Sequence, residues 1–243
     1  MKRAIVINGS PKKENSTTLR VTRAFVNGLC DGAETECEYV NISDMNISPC
    51  RGCLSCWGRT EGSCVIKDDD VENIKNKILT ADYVIESYPL YFFGMPGIMK
   101  VFTDRMLGMM SAYNGRPPAN GTSLHGIRNH RDGQKLVVVS SCAYSDTEFV
   151  YDSLIKQYDF ICGNGNYTAI LCPQLLTVAK LGTPSRMARY LKKFEDAGRL
   201  FAQNGELTKE QLQALAQPPF SDETYRMLLD KFWENQKNGI DND

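Results

Sequence analysis

Ile5 to Thr18, IVINGSPKKENSTT, is the stretch whose reading decides the fold. A short apolar strand runs into Gly9-Ser10-Pro11, a polar loop follows, and Ser16-Thr17-Thr18 opens a helix. A strand that turns through glycine into a hydroxyl-rich helix start gathers backbone N–H groups, side-chain O–H groups and the positive end of the helix dipole around one point. That arrangement is an anion site. No GxxxxGK followed by Ser or Thr is present, and Lys12 and Lys13 lie in the loop rather than directly before the helix hydroxyls, which argues against a nucleoside triphosphate. No GxGxxG is present either, which argues against a dinucleotide. A phosphate monoester held by Ser and Thr remains, and beside it stands the plainer reading, a strand-to-helix turn with Ser16 or Thr17 as N-cap.

The bulk of the chain narrows the field. Its 243 residues fit one α/β domain with additions, and a net charge of −1 without a Lys/Arg-rich run argues against nucleic acid or a polybasic membrane contact. The most apolar window, Val84 to Phe102, carries Glu86 and Lys100 and is broken by Pro89, Gly94, Pro96 and Gly97, so no membrane span is expected. The start, MKRAIVING, has too few apolar residues for a signal-peptide core. A cytoplasmic protein with mostly reduced cysteines is the expectation.

Strand-like runs recur at Arg3–Asn8, Glu34–Val40, Tyr83–Ser87, Lys135–Ser141 and Tyr167–Leu171. Helical spacing alternates with them. Val21, Phe25, Val26 and Leu29 mark a first helix stopped by Gly32; Asp68-Asp69-Asp70 offers caps to a second with Val71, Ile74, Ile78 and Leu79. A third starts at Pro96, a fourth at about Asp146, and a fifth carries Met187, Tyr190, Leu191, Phe194 and Phe201. Five strands alternating with five helices predict an α/β, doubly wound three-layer sandwich whose parallel sheet has the flavodoxin-like order 2-1-3-4-5, the order in which FMN binds where strands one and three part.

This places further site residues after strand three. Tyr88 to Pro96, YPLYFFGMP, is an aromatic-rich loop suited to lie along a flat ring, with a buried structural loop as the alternative. A third wall is expected after strand four, at Ser141-Cys142-Ala143-Tyr144-Ser145, where small residues let backbone approach a ligand closely. Ser141, Ala143 and Tyr144 are its candidate contacts.

NGSPKKENSTT and PLYFFGMPGIMKVFTDR, in this order and around this strand pattern, resemble the NADPH-dependent FMN reductase family of the flavodoxin-like superfamily. With the intervening cysteines the chain is most similar to the iron–sulfur flavoprotein branch, over about Met1 to Phe201. The resemblance implies noncovalent FMN, electrons passed between NAD(P)H or ferredoxin-type donors and an acceptor, and a homo-oligomer, dimer or tetramer. It implies that Ser10, Lys12, Ser16, Thr17 and Thr18 hold the FMN phosphate and that Pro89, Leu90, Tyr91, Phe92, Phe93 and Gly94 hold the isoalloxazine.

Cys50, Cys53, Cys56 and Cys64 form CxxCxxCx7C. Three thiolates at this spacing with a fourth nearby suit a 4Fe–4S cluster, and the spacing resembles the compact motif of iron–sulfur flavoproteins. Zinc is less natural, since zinc motifs usually present two separated CxxC pairs. Packing or redox-active thiols are the alternative. Cys30, Cys37, Cys142, Cys162 and Cys172 read as small buried hydrophobes.

The expected division is a flavodoxin-like FMN-binding domain over 1–204, containing the cysteine segment 48–66 and an insertion 109–133, then a helical extension over 205–243. The insertion, with Arg116-Pro117-Pro118, Asn120-Gly121 and His125 to Arg131, reads as a lid that meets a pyridine nucleotide or as a solvated loop at a dimer edge. In the extension, Thr208 and Gln211 look like a capping box, and the stripe Tyr225, Leu228, Leu229, Phe232 and Trp233 requires cover. Together these features predict an FMN-dependent oxidoreductase. The alternative is an FMN/4Fe–4S electron carrier fed by ferredoxin, without a small-molecule substrate.

Overall fold

Five parallel strands form the centre of the computed structural model, which describes residues 1–112, 125–128 and 132–239. They are β1 (Lys2–Asn8), β2 (Thr35–Asn41), β3 (Tyr83–Pro89), β4 (Lys135–Ser141) and β5 (Thr168–Cys172), in the order β2-β1-β3-β4-β5. The order is the one expected from the sequence. β1, β3 and β4 lie inside the sheet and carry unbroken apolar runs such as Ala4-Ile5-Val6-Ile7, because both faces of a parallel sheet are covered. The edge strand β2 buries only Val40.

Helices α2 (Val71–Thr80), α3 (Gly97–Arg105) and α4 (Asp152–Cys162) cover one face, packing Ile74, Ile78, Met99, Phe102 and Leu154 onto Ile5, Ile7, Val84 and Val138. Helices α1 (Thr17–Gly32) and α6 (Pro184–Asn204) cover the other, packing Phe25, Leu29, Phe194 and Phe201 onto Val6, Ile85 and Val137. α1 and α6 approach until their backbones touch. A Cβ on Gly28 would lie 1.8 Å from the Glu195 carbonyl oxygen, and one on Gly198 would lie 1.9 Å from that of Phe25.

The ends of elements differ from the sequence expectation where local caps mislead. The fourth helix begins at Asp152 rather than Asp146, because the Asp146 carboxylate accepts from the Glu148 amide at 2.8 Å and closes a turn there. Of the three aspartates before α2, it is Asp69, not the N-cap Asp70, that accepts the Val71 amide. A short helix, α5 (Leu175–Leu181), follows β5 where none was expected.

The helical C-terminal extension comprises α7 (Lys209–Leu215), which carries the Thr208/Gln211 capping box in both directions, and α8 (Asp222–Lys237). Leu207, Leu215, Phe220 and Tyr225 join the same hydrophobic core as α1 and α6. Cover for the α8 stripe reaches Leu228 and Leu229 but not Trp233, which is 56% exposed. Of the five cysteines read as buried, Cys142 and Cys172 are; Cys30, Cys37 and Cys162 are half-buried. Among the described residues no helix is long and apolar enough to cross a membrane. Arg116-Pro117-Pro118, Asn120-Gly121 and Asn129-His130-Arg131 lie outside the described residues.

Candidate functional site

The loop between β1 and α1 is pinned from below by asparagine. Buried Asn8 donates from Nδ2 to the Lys13 carbonyl at 3.1 Å and to Asn41 Oδ1 at 2.8 Å, and its Oδ1 accepts the Ser10 amide at 3.2 Å. Asn41 in turn donates to Glu14 at 2.8 Å, and this bond together with Arg23 holds the Glu14 carboxyl below the usual range. Gly9 is required by α3: a Cβ there would sit 2.8 Å from Met99 Cβ. Ser16 is the N-cap of α1, its Oγ accepting the Leu19 amide at 3.2 Å. The amides of Thr17 and Thr18 belong to the first helical turn and point out of the helix toward the loop. Ser10 is buried, Thr17 half-buried and Lys12 exposed. Lys13 pairs with Asp44.

After β3 the chain makes a two-residue hairpin. Tyr91 and Gly94 exchange both backbone hydrogen bonds at 3.0 Å, and the residues between them, Phe92 and Phe93, stand at φ +49° and +63°. Two consecutive phenylalanines in the left-handed region cost about 1–2 kcal/mol each. The turn also leaves Phe92 99% exposed. Its neighbour Phe93 stacks on Tyr144 from the loop after β4, ring centres 5.9 Å apart at 23°, and its carbonyl accepts from Ser153 of α4.

The three expected walls meet at Ser141. Its hydroxyl lies 2.6 Å from that of Thr18, 123 residues earlier, and its carbonyl accepts the Leu90 amide at 2.7 Å. One residue at the end of β4 thus ties the helix start to both aromatic loops. A second buried hydroxyl pair, Thr22 and Ser87 at 2.7 Å, holds α1 to β3 just below. The crevice above these contacts has the N-terminal end of α1 on one side and the aromatic side chains of the two loops on the other.

The cysteine segment sits on two buried cations. Arg105 at the end of α3 donates to the Ser48 carbonyl at 2.6 Å and pairs with Asp69; Lys75 of α2 donates to the Gly62 carbonyl at 2.8 Å and pairs with Glu72. Burial opposes the Arg105 charge, but Asp69 and the neighbouring Cys64 sulfur outweigh it and raise its pKa. Trp57 donates to the Leu107 carbonyl at 3.1 Å, and its ring lies 5.0 Å from that of His125, tilted by 32°. Cys50 and Cys53 are exposed, Cys56 and Cys64 half-buried. Hydrogen bonds from Ser55 hold the Cys53 thiol below its ordinary pKa, while burial pushes that of Cys56 up. The donor set is right for a 4Fe–4S cluster, but the expected ligand set is not assembled: among the described residues no three such groups converge on a metal position.

A cavity of about 1700 Å³ lies away from the strand-end crevice, between α3 and α4, with Val84, Glu86, Phe102, Met106, Leu136 and Tyr158 in its lining. Burial pushes the Glu86 carboxyl up to about 7 against the pull of the Tyr158 hydroxyl that donates to it. Tyr158 also meets Tyr88 at 2.6 Å. Sequence reading gave no role to Glu86, Asn8, Asn41 or Arg105. Only the Asn-Gly pair at the strand end hinted at Asn8.

Residues 2–162 match the model of Flavodoxin_2, a family of flavodoxin-like fold. An iron–sulfur flavoprotein of Methanocaldococcus jannaschii is 33% identical over 136 residues, 56% of this chain and 67% of the relative. Another, from Clostridioides difficile, is 31% identical over 149 residues, 61% of this chain and 64% of the relative. The matches thus span about two-thirds of the relatives' length. Among solved structures, an FMN-dependent NADH-azoreductase of Bacillus anthracis in complex with FMN superposes with a TM-score of 0.60 at 16% identity, over 83% of this chain and 100% of that one. The strand order, the covered sheet and the family match lead to one assignment: the chain belongs to the Flavodoxin_2 family.

Proposed function

We propose that the chain is an FMN-dependent oxidoreductase that takes electrons from NAD(P)H or a reduced protein donor and passes them to a small acceptor or partner. The observation that carries this reading is Ser141, which joins Thr18 of the helix start to Leu90 of the ring loop. In this reading the Thr17 and Thr18 amides, the Ser10 hydroxyl and the N-terminal dipole of α1 hold the phosphate, with Ser16 fixing the helix start and Lys12 adding charge from the rim. Pro89, Leu90, Tyr91, Phe92, Phe93 and Gly94 lie along the ring, and Ser141, Ala143 and Tyr144 close its far side. When bound, FMN supplies the electron chemistry by accepting and releasing reducing equivalents. The chain's own work is to orient the ring and exclude water from it; no side chain is assigned as acid or base. The exposed aromatic side chains of Tyr91, Phe93 and Phe149 suit burial against a second copy, and a cytoplasmic homodimer or homotetramer belongs to the same reading.

Titration of the purified chain with FMN and with riboflavin tests the phosphate and ring sites separately. FMN is expected to bind far more tightly, and Thr17→Glu, which places a carboxylate against the phosphate, removes that advantage while riboflavin affinity stays the same. Equal affinity for the two flavins in the unaltered chain would sink the phosphate assignment.

The CxxCxxCx7C spacing of Cys50, Cys53, Cys56 and Cys64 favours a second reading, an FMN/4Fe–4S electron carrier fed by ferredoxin. It requires the four thiols to draw together on loading. Anaerobic iron and sulfide analysis decides it: iron retained in Cys50→Ala rules out the ligand set.

A further inference from the structure

The C-terminal part of the chain, beyond the residues 2–162 that match the family, reaches back to the loop after β4. Gln174 is fully buried and stands at φ +52°, a conformation an L side chain rarely adopts. Its surroundings hold it there. Its backbone amide donates to the Tyr144 carbonyl at 3.0 Å, and its side-chain Nε2 donates to Ser145 Oγ at 2.8 Å and to the Phe220 carbonyl at 3.3 Å. Its Oε1 accepts the Phe220 amide at 3.0 Å, so one side chain pairs with both backbone groups of Phe220. Arg186 of α6 steadies that partner, donating to the Pro219 carbonyl at 3.0 Å with its guanidinium 4.6 Å from the Phe220 ring centre. Five residues on, the Tyr225 hydroxyl of α8 donates to the Ala143 carbonyl.

Ala143, Tyr144 and Ser145 therefore each carry one bond from Gln174 or Tyr225. We propose that Gln174 and Tyr225 are positioning residues that latch the C-terminal extension to this loop and so fix the Tyr144 wall against which the flavin ring lies. The proposal rests on the FMN reading above. Neither residue lines the crevice itself. A loop with no ladder bonds of its own is ordered by such outside bonds, and a wall already ordered spares the ligand the entropy of ordering it. The latch acts on the ring side alone, so FMN and riboflavin should feel its loss equally.

Hydrogen exchange of the full chain, without and with FMN, together with flavin titration, tests this in Tyr225→Phe and Gln174→Ala. Tyr225→Phe removes one hydroxyl and keeps the ring packed; it guards against a Gln174→Ala chain that does not fold. Exchange at the amides of Cys142, Gln174 and Leu175, whose bonds tie this loop to β5 and α5, is expected to quicken about tenfold in the flavin-free chain, the effect of one lost hydrogen bond on local opening. FMN and riboflavin affinities should fall by a similar factor with their ratio unchanged. Unchanged exchange in Tyr225→Phe overturns the latch. Faster exchange with flavin affinity unchanged overturns its role in the ring wall. An unaltered chain that takes up no FMN overturns the flavin reading itself, whatever the exchange shows.

Discussion

Arg105 and Asp69 form an ion pair whose two side chains are each 1% exposed, directly beneath the cysteine segment. Asp69 also accepts the amides of Ser48 and Val71, so one carboxylate fastens the start of that segment to α2 and α3. Burial raises its pKa, but Arg105 and the two amides prevail and hold it below the usual carboxylate range. Asp69→Ala leaves a buried guanidinium unpaired and should cost about 3–5 kcal/mol in urea unfolding. Because the folded pKa is depressed, the pair's contribution is complete above about pH 4 and is lost as pH falls below it. A variant as acid-resistant as the parent would show that the pair contributes little.

Gly198→Ala pushes a methyl into the Phe25 carbonyl and forces α1 and α6 apart. The expected loss is about 2–3 kcal/mol, with a melting temperature lower by about 5–10 °C. An unchanged melting temperature would mean that the helices separate freely.

Glu86 carries a pH signature of opposite sign. Its folded pKa, about 7, stands above the ordinary 4.5, so the folded chain binds the extra proton and stability falls as pH rises between those values. Glu86→Gln keeps an acceptor for Tyr158 and removes the titration. Because the carboxyl borders a cavity that water can reach, the gain over the parent should be about 2 kcal/mol at pH 8 and close to none at pH 4. A gain equal at both pH values would refute the assignment.

Phe92→Asn relaxes the hairpin. Asparagine accepts the left-handed conformation, and a fully exposed phenyl ring contributes no burial, so stability should rise by about 1 kcal/mol. If FMN affinity falls in the same variant, the strain serves the ring site. A less stable variant would show that Phe92 has a partner in solution.

The strands were legible because buried parallel strands write themselves as unbroken apolar runs, and Ala4–Ile7, Tyr83–Ile85 and Leu136–Val139 are such runs; the order followed from the helices between them and the phosphate loop after β1. The Ser141 contact with Thr18 was legible only as two loops expected at one sheet edge. What the sequence hid has no local signature. Gln174 and Arg105 act on partners tens of residues away, and α5, LLTVAKL, opens after a buried glutamine with no capping side chain. The cysteine spacing announced a donor set, but spacing does not carry the loop conformation that would bring four sulfurs together.

The contact of Gly28 with Glu195 also orders events in time. α1 is made early, yet the helix that shelters Phe25 and Leu29 is made some 160 residues later. A nascent chain leaving the ribosome must therefore hold an apolar helix face bare through most of synthesis. Fragments ending near residue 162 should be captured by chaperones or aggregate, and the protein should become protease-resistant only once α6 has emerged.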